Sequence, residues 1–341
     1  MQKFKIILAG CGGMGNNWIG YILKRKDAEI VGLCDIIIER AEEFKKNYNL
    51  PDETGVFDDI KKALAACSGT NLVVDCTTPN AHEYIVTSAM NAGADAIGEK
   101  PMAETREQAL NEILVSDKTG RSYAVMQNRI YLPGMRTIRK SLSENLIGRL
   151  GSVSSDFFIG AHFGGFRDLM DNVLILDMAV HTFYQARFLI GANPKSVYCH
   201  EFNPVGSWYK GCASAVAIFE FENGVVYDYR GSWCSEGFNT SWECDWRIIG
   251  ENGTIKWDGY NNPVAQIKKS GETGFTIPNS ETKLELLDIG ENHGHYGCFD
   301  EMFAALAEKR RAETDCRENY YSMNMVYSAI ESAKCGKKVF M

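Results

Sequence analysis

The chain opens with an apolar run that leads into a glycine-rich turn, and no other feature constrains the fold as strongly. Residues 5–15 read KIILAGCGGMG, in which Gly10, Gly12 and Gly15 form the pattern G-x-G-x-x-G. After a strand and before a helix, the first glycine permits a tight turn and the second lets backbone N–H groups approach a pyrophosphate. The third glycine allows the helix to pack closely on the strand, and the helix N-terminus adds partial positive charge. The sequence therefore predicts a dinucleotide-binding unit.

A carboxylate follows the second apolar run at the spacing typical of this motif. Asp35 ends the run Ile30–Cys34 and lies about 20 residues beyond Gly15, where an acid binds the adenosine ribose hydroxyls. Residues 36–38 are three isoleucines, which offer no cation for a 2′-phosphate, and Arg40 lies a turn further along the predicted helix. Because a carboxylate repels a phosphate, this pattern predicts NAD rather than NADP as the cofactor.

Length and charge limit the classes of protein that this chain can belong to. With 341 residues it exceeds the size at which a single core keeps growing, so two domains are expected. The 44 acidic and 36 basic residues give a net charge of −8 without long blocks of one sign, which argues against a nucleic-acid or membrane surface. A small-molecule partner is expected instead.

Cysteine usage and hydropathy point to the cytoplasm. The 11 cysteines are an odd number and form no C-x-x-C pair, so we expect reduced thiols and no zinc site. No apolar run approaches the ~20 residues of a membrane helix, and no signal peptide is expected.

The first part of the chain alternates short apolar strands with helical segments. The clearer predicted strands are Lys5–Ala9, Ile30–Cys34, Leu72–Cys76, Ala96–Gly98 and Ser122–Met126. Asn80 and Gly93 flank one of the helices as expected start and stop residues. This alternation predicts a doubly wound parallel sheet over residues 1–127, covered by helices on both faces.

After a helix near Tyr131–Asn145 the pattern changes to longer strands. These are Ser152–Ile159, Ser196–Phe202, Ala213–Phe221, Val225–Ser232, Trp242–Gly250 and Thr254–Trp257. Asn-Gly turns at 223–224 and 252–253 predict hairpins, so residues 128–341 should form an α/β domain with a mainly antiparallel sheet. One long helix, Asn172–Ile190, interrupts the strands, and the final helices near 296–310 and 319–334 are able to pack back across the domain boundary.

The strand at 213–221 is apolar on both faces. Alanine and phenylalanine side chains occupy one face, while Val216 and Ile218 occupy the other. The helix Asn172–Ile190 can cover one face, and the other needs a cover that the rest of the sequence does not obviously supply. We therefore expect a second copy of the chain there, giving a homodimer or homotetramer.

Two groups of residues carry the candidate chemistry. Lys100, in the sequence GEKP, follows the fifth predicted strand, at the sheet edge where ligands bind in such folds. Asp177 and His181 are four residues apart on the long helix and so share one face of an apolar segment. An imidazole there can take a proton from an alcohol, with the carboxylate orienting it or binding a substrate hydroxyl. A satisfied core Asp–His pair is the alternative interpretation.

Taken together, these motifs resemble one family across essentially the whole chain. The glycine motif, Asp35, the segment CTTPNAH at 76–82, the segment GEKP at 98–101 and Asp177-x-x-x-His181 occur in the order and at the separations found in the Gfo/Idh/MocA oxidoreductases. That family includes glucose–fructose oxidoreductase and myo-inositol dehydrogenase. The resemblance implies a Rossmann domain followed by an α/β domain whose open, mainly antiparallel sheet is used for oligomerisation.

The resemblance also implies roles for individual residues. Lys100, Asp177 and His181 would form the catalytic group around a sugar or polyol hydroxyl. The implied NAD contacts are Gly10, Gly12, Gly13, Met14, Gly15, Asp35, Thr77, Thr78, Pro79, Asn80, His82, Glu99, Lys100, Gln127 and Arg167. Expected substrate contacts, besides the catalytic group, are Arg129, Tyr131, His162, Arg167, Asp168 and Trp233. The family frequently has Trp before this Arg, where the present chain has Phe166.

We therefore expect an NAD-dependent dehydrogenase for a secondary alcohol of a sugar, cyclitol or glycoside. His181 would remove the hydroxyl proton while Lys100 steadies the developing alkoxide, and no metal would be involved. Two alternatives stay open. One is a glycoside-cleaving enzyme that oxidises the sugar transiently, and the other is a non-enzymatic regulator that senses NAD or sugar.

Overall fold

The computed structural model describes residues 3–341 as two compact units, each containing one β-sheet. The first unit comprises the described residues through Gln127 together with Tyr296–Tyr320. The second comprises Asn128–His295 and Tyr321–Met341. The chain therefore passes between the two units after Gln127, after His295 and after Tyr320.

The first unit contains a six-stranded parallel sheet. Its strands are β1 (Phe4–Ala9), β2 (Ala28–Cys34), β3 (Gly55–Phe57), β4 (Leu72–Asp75), β5 (Asp95–Gly98) and β6 (Tyr123–Val125), in the order β3-β2-β1-β4-β5-β6. Five of the six were predicted, and the parallel Rossmann sheet is confirmed. The short strand β3 was missed, since three residues are too few to show a periodic pattern.

Helices separate these strands along the chain. They are α1 (Gly13–Ile22), α2 (Ile38–Asn47), α3 (Ile60–Ala66), α4 (Pro79–Asn91) and α5 (Arg106–Thr119). The predicted start of α4 at Asn80 was wrong, because Thr78 precedes the helix and Pro79 occupies its first turn. Proline suits that position, since its fixed φ is already helical and the missing N–H has no helical acceptor.

The core of the first unit includes aromatic side chains from the C-terminal part of the chain. Helix α8 (Gly294–Glu308) contributes Phe299, whose ring lies 4.7 Å from that of Trp18, edge to face, and 4.7 Å from that of Tyr21, stacked. Phe303 packs edge-on against Phe4 with ring centroids 5.0 Å apart. These contacts bury α8 against α1 and β1 within the same unit.

The second unit contains a nine-stranded, mostly antiparallel sheet. Its strands are β7 (Leu150–Phe158), β8 (Pro194–Phe202), β9 (Ser214–Phe221), β10 (Val226–Ser232), β11 (Asp245–Gly250), β12 (Gly253–Trp257), β13 (Val264–Lys268), β14 (Asn279–Lys283) and β15 (Val339–Phe340). Their order is β14-β13-β12-β11-β7-β10-β9-β8-β15, and only β7 and β10 pair in parallel. The expected sheet type is confirmed, and β13 to β15 were not predicted.

The helices of the second unit are α6 (Pro133–Ser143), α7 (Val180–Ile190) and part of α9 (Cys316–Cys335). The predicted helix Asn172–Ile190 was wrong in detail, because Leu174–Ala179 forms a π-helical segment before α7 begins. π-helical turns hold an extra residue, which rotates the side chains that follow, and they occur frequently at functional sites. Asp177 lies in this wide turn.

The predicted strand Trp242–Gly250 starts three residues later than expected. Residues 241–244 form a turn, in which Cys244 has a φ of +69° and the Ser241 hydroxyl accepts a hydrogen bond from the Glu243 N–H at 3.1 Å. Because Trp242 belongs to this turn, its side chain is not part of the strand alternation and stays 43% exposed.

One face of the large sheet is covered by α7, and the other carries exposed apolar side chains. Phe183 packs edge-on against Phe219 and Tyr229, with ring centroids 4.8 and 5.3 Å apart. On the opposite face Val216 and Ile218 are 42% and 47% exposed. The alternation predicted for this strand is therefore present in the structure.

All 11 cysteines are free thiols. Within residues 3–341, no group of three or more His, Cys, Asp or Glu side chains is arranged to hold a metal ion. Over the same residues, none of the helices combines the length and hydropathy that crossing a membrane requires.

Candidate active site

The glycines of the first turn serve two different purposes. Gly10 has a φ of +90°, and a Cβ there would lie 2.6 Å from the backbone of Cys76. A Cβ on Gly15 would lie 2.2 Å from the Gly10 carbonyl oxygen. At Gly12 and Gly13, by contrast, no atom lies within 4 Å of the added Cβ position. The chain itself requires the first and third glycines of the motif, while the open space at Gly12 and Gly13 suits a pyrophosphate.

Asp35, at the end of β2, is held firmly by the backbone. Its two carboxylate oxygens accept hydrogen bonds from the N–H groups of Cys11 and Ile37, both at 2.9 Å. The carboxylate is 8% exposed, and Arg40 points into solvent from α2. Burial and the nearby Asp35 charge raise the pKa of the Cys11 thiol to about 12, so this cysteine stays protonated.

The turn after β4 is organised by two buried polar residues. Asp75 Oδ1 accepts hydrogen bonds from the N–H and hydroxyl of Thr77, at 2.9 and 2.6 Å. The ring nitrogens of His82 lie 2.8 Å from the Pro101 carbonyl oxygen and 3.1 Å from that of Thr77. His82 is completely buried, so it joins this turn to the one after β5 and does not itself present a surface to a ligand.

The turn after β5 contains buried groups whose hydrogen bonding is incomplete. Glu99 Oε2 accepts from the Lys100 N–H at 3.0 Å, whereas the buried Oε1 has no protein partner. The side-chain nitrogen of Gln127, after β6, is likewise buried without a partner. Burial raises the pKa of the Glu99 carboxyl, although the charge of Lys100 opposes the shift. Such groups are normally satisfied, so they fit a site completed by a bound dinucleotide.

Sequence reasoning missed two further acids of this unit. Asp75 is completely buried, and burial raises the pKa of its carboxyl. Glu112, on α5, is also completely buried and neither of its oxygens has a hydrogen-bond partner, which raises its pKa well above the usual range. Asp75 directly follows the apolar residues 72–74, so its position at a strand end could have marked it as a candidate site residue. The sequence of α5 shows no pattern that distinguishes Glu112 from the other polar residues of the helix.

In the second unit the structure brings two of the candidate residues into direct contact. Arg167 Nε donates to Asp177 Oδ2 at 2.6 Å, and the Asp177 carboxylate is almost fully buried. The Arg167 guanidinium also lies over the rings of Phe163 and Phe166, 5.1 and 4.7 Å from their centroids. His181 follows in the first turn of α7 and is 8% exposed.

Two other expected substrate contacts are engaged in the protein interior. Arg129 donates to the Trp242 carbonyl oxygen and to Met178 Sδ, and it forms an ion pair with Glu243 at 3.8 Å. Tyr131 is 6% exposed and packs under the guanidinium of Arg136 at 4.5 Å. Both residues therefore have structural contacts of their own.

The remaining expected contacts differ in accessibility. Trp233 is 2% exposed, and its indole nitrogen has no hydrogen-bond partner. Asp168 is half-buried, with Oδ1 lacking a partner. His162 is exposed, stacks on Trp208 at 3.6 Å and contacts Glu236 at 2.8 Å.

Two family descriptions match almost the whole chain. Residues 4–127 match "Oxidoreductase family, NAD-binding Rossmann fold", and residues 166–341 match "Oxidoreductase family, C-terminal alpha/beta domain". The chain belongs to the Gfo/Idh/MocA oxidoreductase family. It is thus an NAD(P)-dependent oxidoreductase, and residues 4–127 form its NAD-binding Rossmann domain.

Relatives at low identity span the full length of the chain. An uncharacterised protein of Sinorhizobium fredii, y4oX, is 27% identical over 99% of this chain and 96% of its own length. The D-glucoside 3-dehydrogenase of Escherichia coli is 24% identical over 99% of this chain and 97% of its own length. An oxidoreductase from Agrobacterium radiobacter, solved with NAD⁺, L-tartaric acid and magnesium, superposes with a TM-score of 0.84 at 21% identity, covering 99% of this chain and 98% of that one.

Proposed function

We propose that this family member is an NAD-dependent dehydrogenase that oxidises a secondary hydroxyl of a sugar, cyclitol or glycoside. The observation that carries the proposal is the buried carboxylate of Asp177, which Arg167 holds in place one helical turn before the imidazole of His181. A buried acid and imidazole on a π-to-α helical segment suit proton transfer at a bound hydroxyl. The E. coli relative that acts on D-glucosides supports the substrate class.

We propose roles for three side chains in this reaction. His181 removes the proton of the hydroxyl, so the C–O bond becomes a carbonyl as the hydrogen on the same carbon leaves as hydride. Lys100 steadies the developing alkoxide charge. Asp177, whose orientation Arg167 fixes, accepts a hydrogen bond from the substrate or orients the imidazole. When bound, the nicotinamide accepts the hydride at C4.

The surroundings of Asp35 support NAD over NADP. Both oxygens of its carboxylate are fixed by backbone N–H groups, so it cannot swing away from a 2′-phosphate. The next residue, Ile36, is 89% exposed and uncharged. A 2′-phosphate would therefore meet a fixed negative charge without a compensating cation.

We also propose that the protein is a homodimer or homotetramer in the cytoplasm. On the face of the large sheet opposite α7, Val216, Ile218, Tyr198 and Phe202 are between 40% and 48% exposed. An apolar sheet face of this kind is suited to contact with the same face of a second copy.

The proposal is tested by incubating the protein with NAD and each of a panel of hexoses, inositols and methyl glycosides at neutral pH. Formation of NADH at 340 nm with at least one of these compounds, and a weaker response with NADP, is the expected result. Release of aglycone without net NADH would instead identify a glycoside-cleaving enzyme. A failure of every compound to reduce NAD, by a protein that binds NADH, would overturn the proposal in favour of a sensor.

A further inference from the structure

Exposed aromatic side chains adjoin the Arg167–Asp177 pair in the second unit. Phe163 and Phe166 are 52% and 51% exposed, although phenylalanine is usually buried. Their rings flank the guanidinium of Arg167, whose Nε donates to Asp177. The exposed phenylalanine rings therefore contact Arg167, the residue that holds Asp177 in its proposed position at the substrate.

Two tryptophans extend this surface. The ring of Phe163 lies edge-on to Trp233, with centroids 5.5 Å apart, and 6.1 Å from the ring of Trp242. Trp233 is buried, whereas Trp242 is 43% exposed. Phe163, Phe166, Trp233 and Trp242, which we call the aromatic cluster, thus combine a buried ring with three accessible ones.

The chain around the aromatic cluster is fixed by specific contacts. The Ala161 carbonyl oxygen accepts hydrogen bonds from the Tyr209 hydroxyl at 2.5 Å and from the Trp208 indole at 3.2 Å. Arg129 donates to the carbonyl oxygen of Trp242. These bonds hold the backbone on both sides of the cluster, so the exposed rings belong to a built surface.

Two glycines explain how both phenylalanines reach the same guanidinium. Gly164 and Gly165, between Phe163 and Phe166, each have a φ of +70°, a left-handed conformation that other residues rarely adopt. This turn lets two rings three residues apart both contact the Arg167 guanidinium. The local sequence FGGFR therefore produces the aromatic surface directly.

We propose that the aromatic cluster is a subsite for a flat, apolar aglycone, which makes a glycoside rather than a free sugar the substrate. The inference rests on the proposed function, in which Asp177, held in place by Arg167, accepts a hydrogen bond from the sugar. Asp177 pairs with Arg167, the cation that lies over Phe163 and Phe166, so the Arg167 charge is already balanced and does not favour a phosphate or carboxylate ligand. Stacking on aromatic rings and removal of apolar surface from water instead favour an uncharged ring.

The test compares methyl and phenyl glycosides of the sugar that the panel identifies, with NAD in excess. The measured quantity is kcat/KM for the phenyl glycoside divided by kcat/KM for the methyl glycoside. A variant that loses activity equally with both compounds leaves this ratio unchanged. We expect the wild-type ratio to be about tenfold, the effect of a few aromatic contacts. The double variant F163A/F166A should bring the ratio close to one, while Phe275→Ala, a fully exposed phenylalanine, should leave it unchanged.

Each outcome bears on the inference separately from the proposed function. Robust NAD reduction with equal kcat/KM for both glycosides would overturn the subsite and leave the dehydrogenase proposal standing. A preference for the phenyl compound that survives in F163A/F166A would also overturn it. A change of oligomeric state in F163A/F166A, with the preference intact, would show that a second copy covers these rings. No reduction of NAD with any sugar or glycoside would overturn both proposals.

Discussion

Glycine-to-alanine substitutions in the glycine turn can distinguish the glycines that the fold requires from those that cofactor binding requires. An added Cβ at Gly15 would lie 2.2 Å from the Gly10 carbonyl oxygen, so the backbone would have to shift by about 1 Å. We expect Gly15→Ala to lower the free energy of unfolding by about 1–3 kcal/mol, as overpacking does. At Gly12 the φ is −90° and the added Cβ meets nothing, so Gly12→Ala should change that free energy by less than about 1 kcal/mol.

Binding should show a different pattern. The methyl group of Gly12→Ala would occupy space that we assign to the pyrophosphate, so we expect the Kd for NADH to rise at least tenfold, or about 1.4 kcal/mol. Urea unfolding followed by circular dichroism gives the stability, and isothermal titration calorimetry with NADH gives the Kd.

A third glycine provides the control. Gly93, after α4, has a φ of +87° and open space around its Cβ position, so Gly93→Ala should cost about 1 kcal/mol of stability through strain alone. Its Kd for NADH should equal that of the wild type. If Gly12→Ala also bound NADH with the wild-type Kd, the pyrophosphate would not lie over Gly12 and our account of the turn would be refuted.

Three further predictions concern stability, assembly and cofactor choice. Burial raises the pKa of the Glu201 carboxyl from 4.5 to about 7, so its stabilising contribution is complete below about pH 4.5 and is lost as the pH rises through 7. Between about pH 4.5 and about pH 8, the loss of unfolding free energy should therefore be smaller in Glu201→Gln than in the wild type, by up to about 3 kcal/mol. Urea unfolding at the two pH values measures this difference. Ile218→Glu should reduce the mass seen by light scattering to the 38.1 kDa monomer, and a wild-type protein that is itself monomeric at micromolar concentration would contradict the proposed interface. NADPH should bind at least tenfold more weakly than NADH in calorimetry, and Asp35→Ser should narrow this difference; equal affinities in the wild type would contradict the role of Asp35.

Local patterns predicted the parts of the fold that depend on local chemistry. The glycine motif, the run before Asp35 and the alternation around Val216 and Ile218 each depend on neighbouring residues, and the structure contains all three features. Strands β3, β13, β14 and β15 were not predicted, because pairing with adjacent strands, rather than a hydrophobic pattern of their own, defines them.

Contacts that depend on tertiary packing could not be predicted in this way. The π-helical turn at Leu174–Ala179 differs from an α-helix by one residue, which hydrophobic periodicity does not resolve. The contacts of His82 with the Thr77 and Pro101 carbonyl oxygens join residues 5 and 19 positions apart. The Arg167–Asp177 ion pair requires two segments to meet, so sequence alone suggested the residues and not their contact.

We propose that Lys100 and His181 act on the reacting hydroxyl rather than on the fold or the dinucleotide. The most direct test measures kcat and the Kd for NADH in the variants Lys100→Ala and His181→Ala. Lys118→Ala, which changes an exposed lysine on α5, serves as the control. Each of the variants Lys100→Ala and His181→Ala should lose about 100- to 10,000-fold in kcat, while its Kd for NADH should stay within a few-fold of the wild-type value. A kcat above about a tenth of the wild-type value in either variant would contradict the catalytic role of that residue.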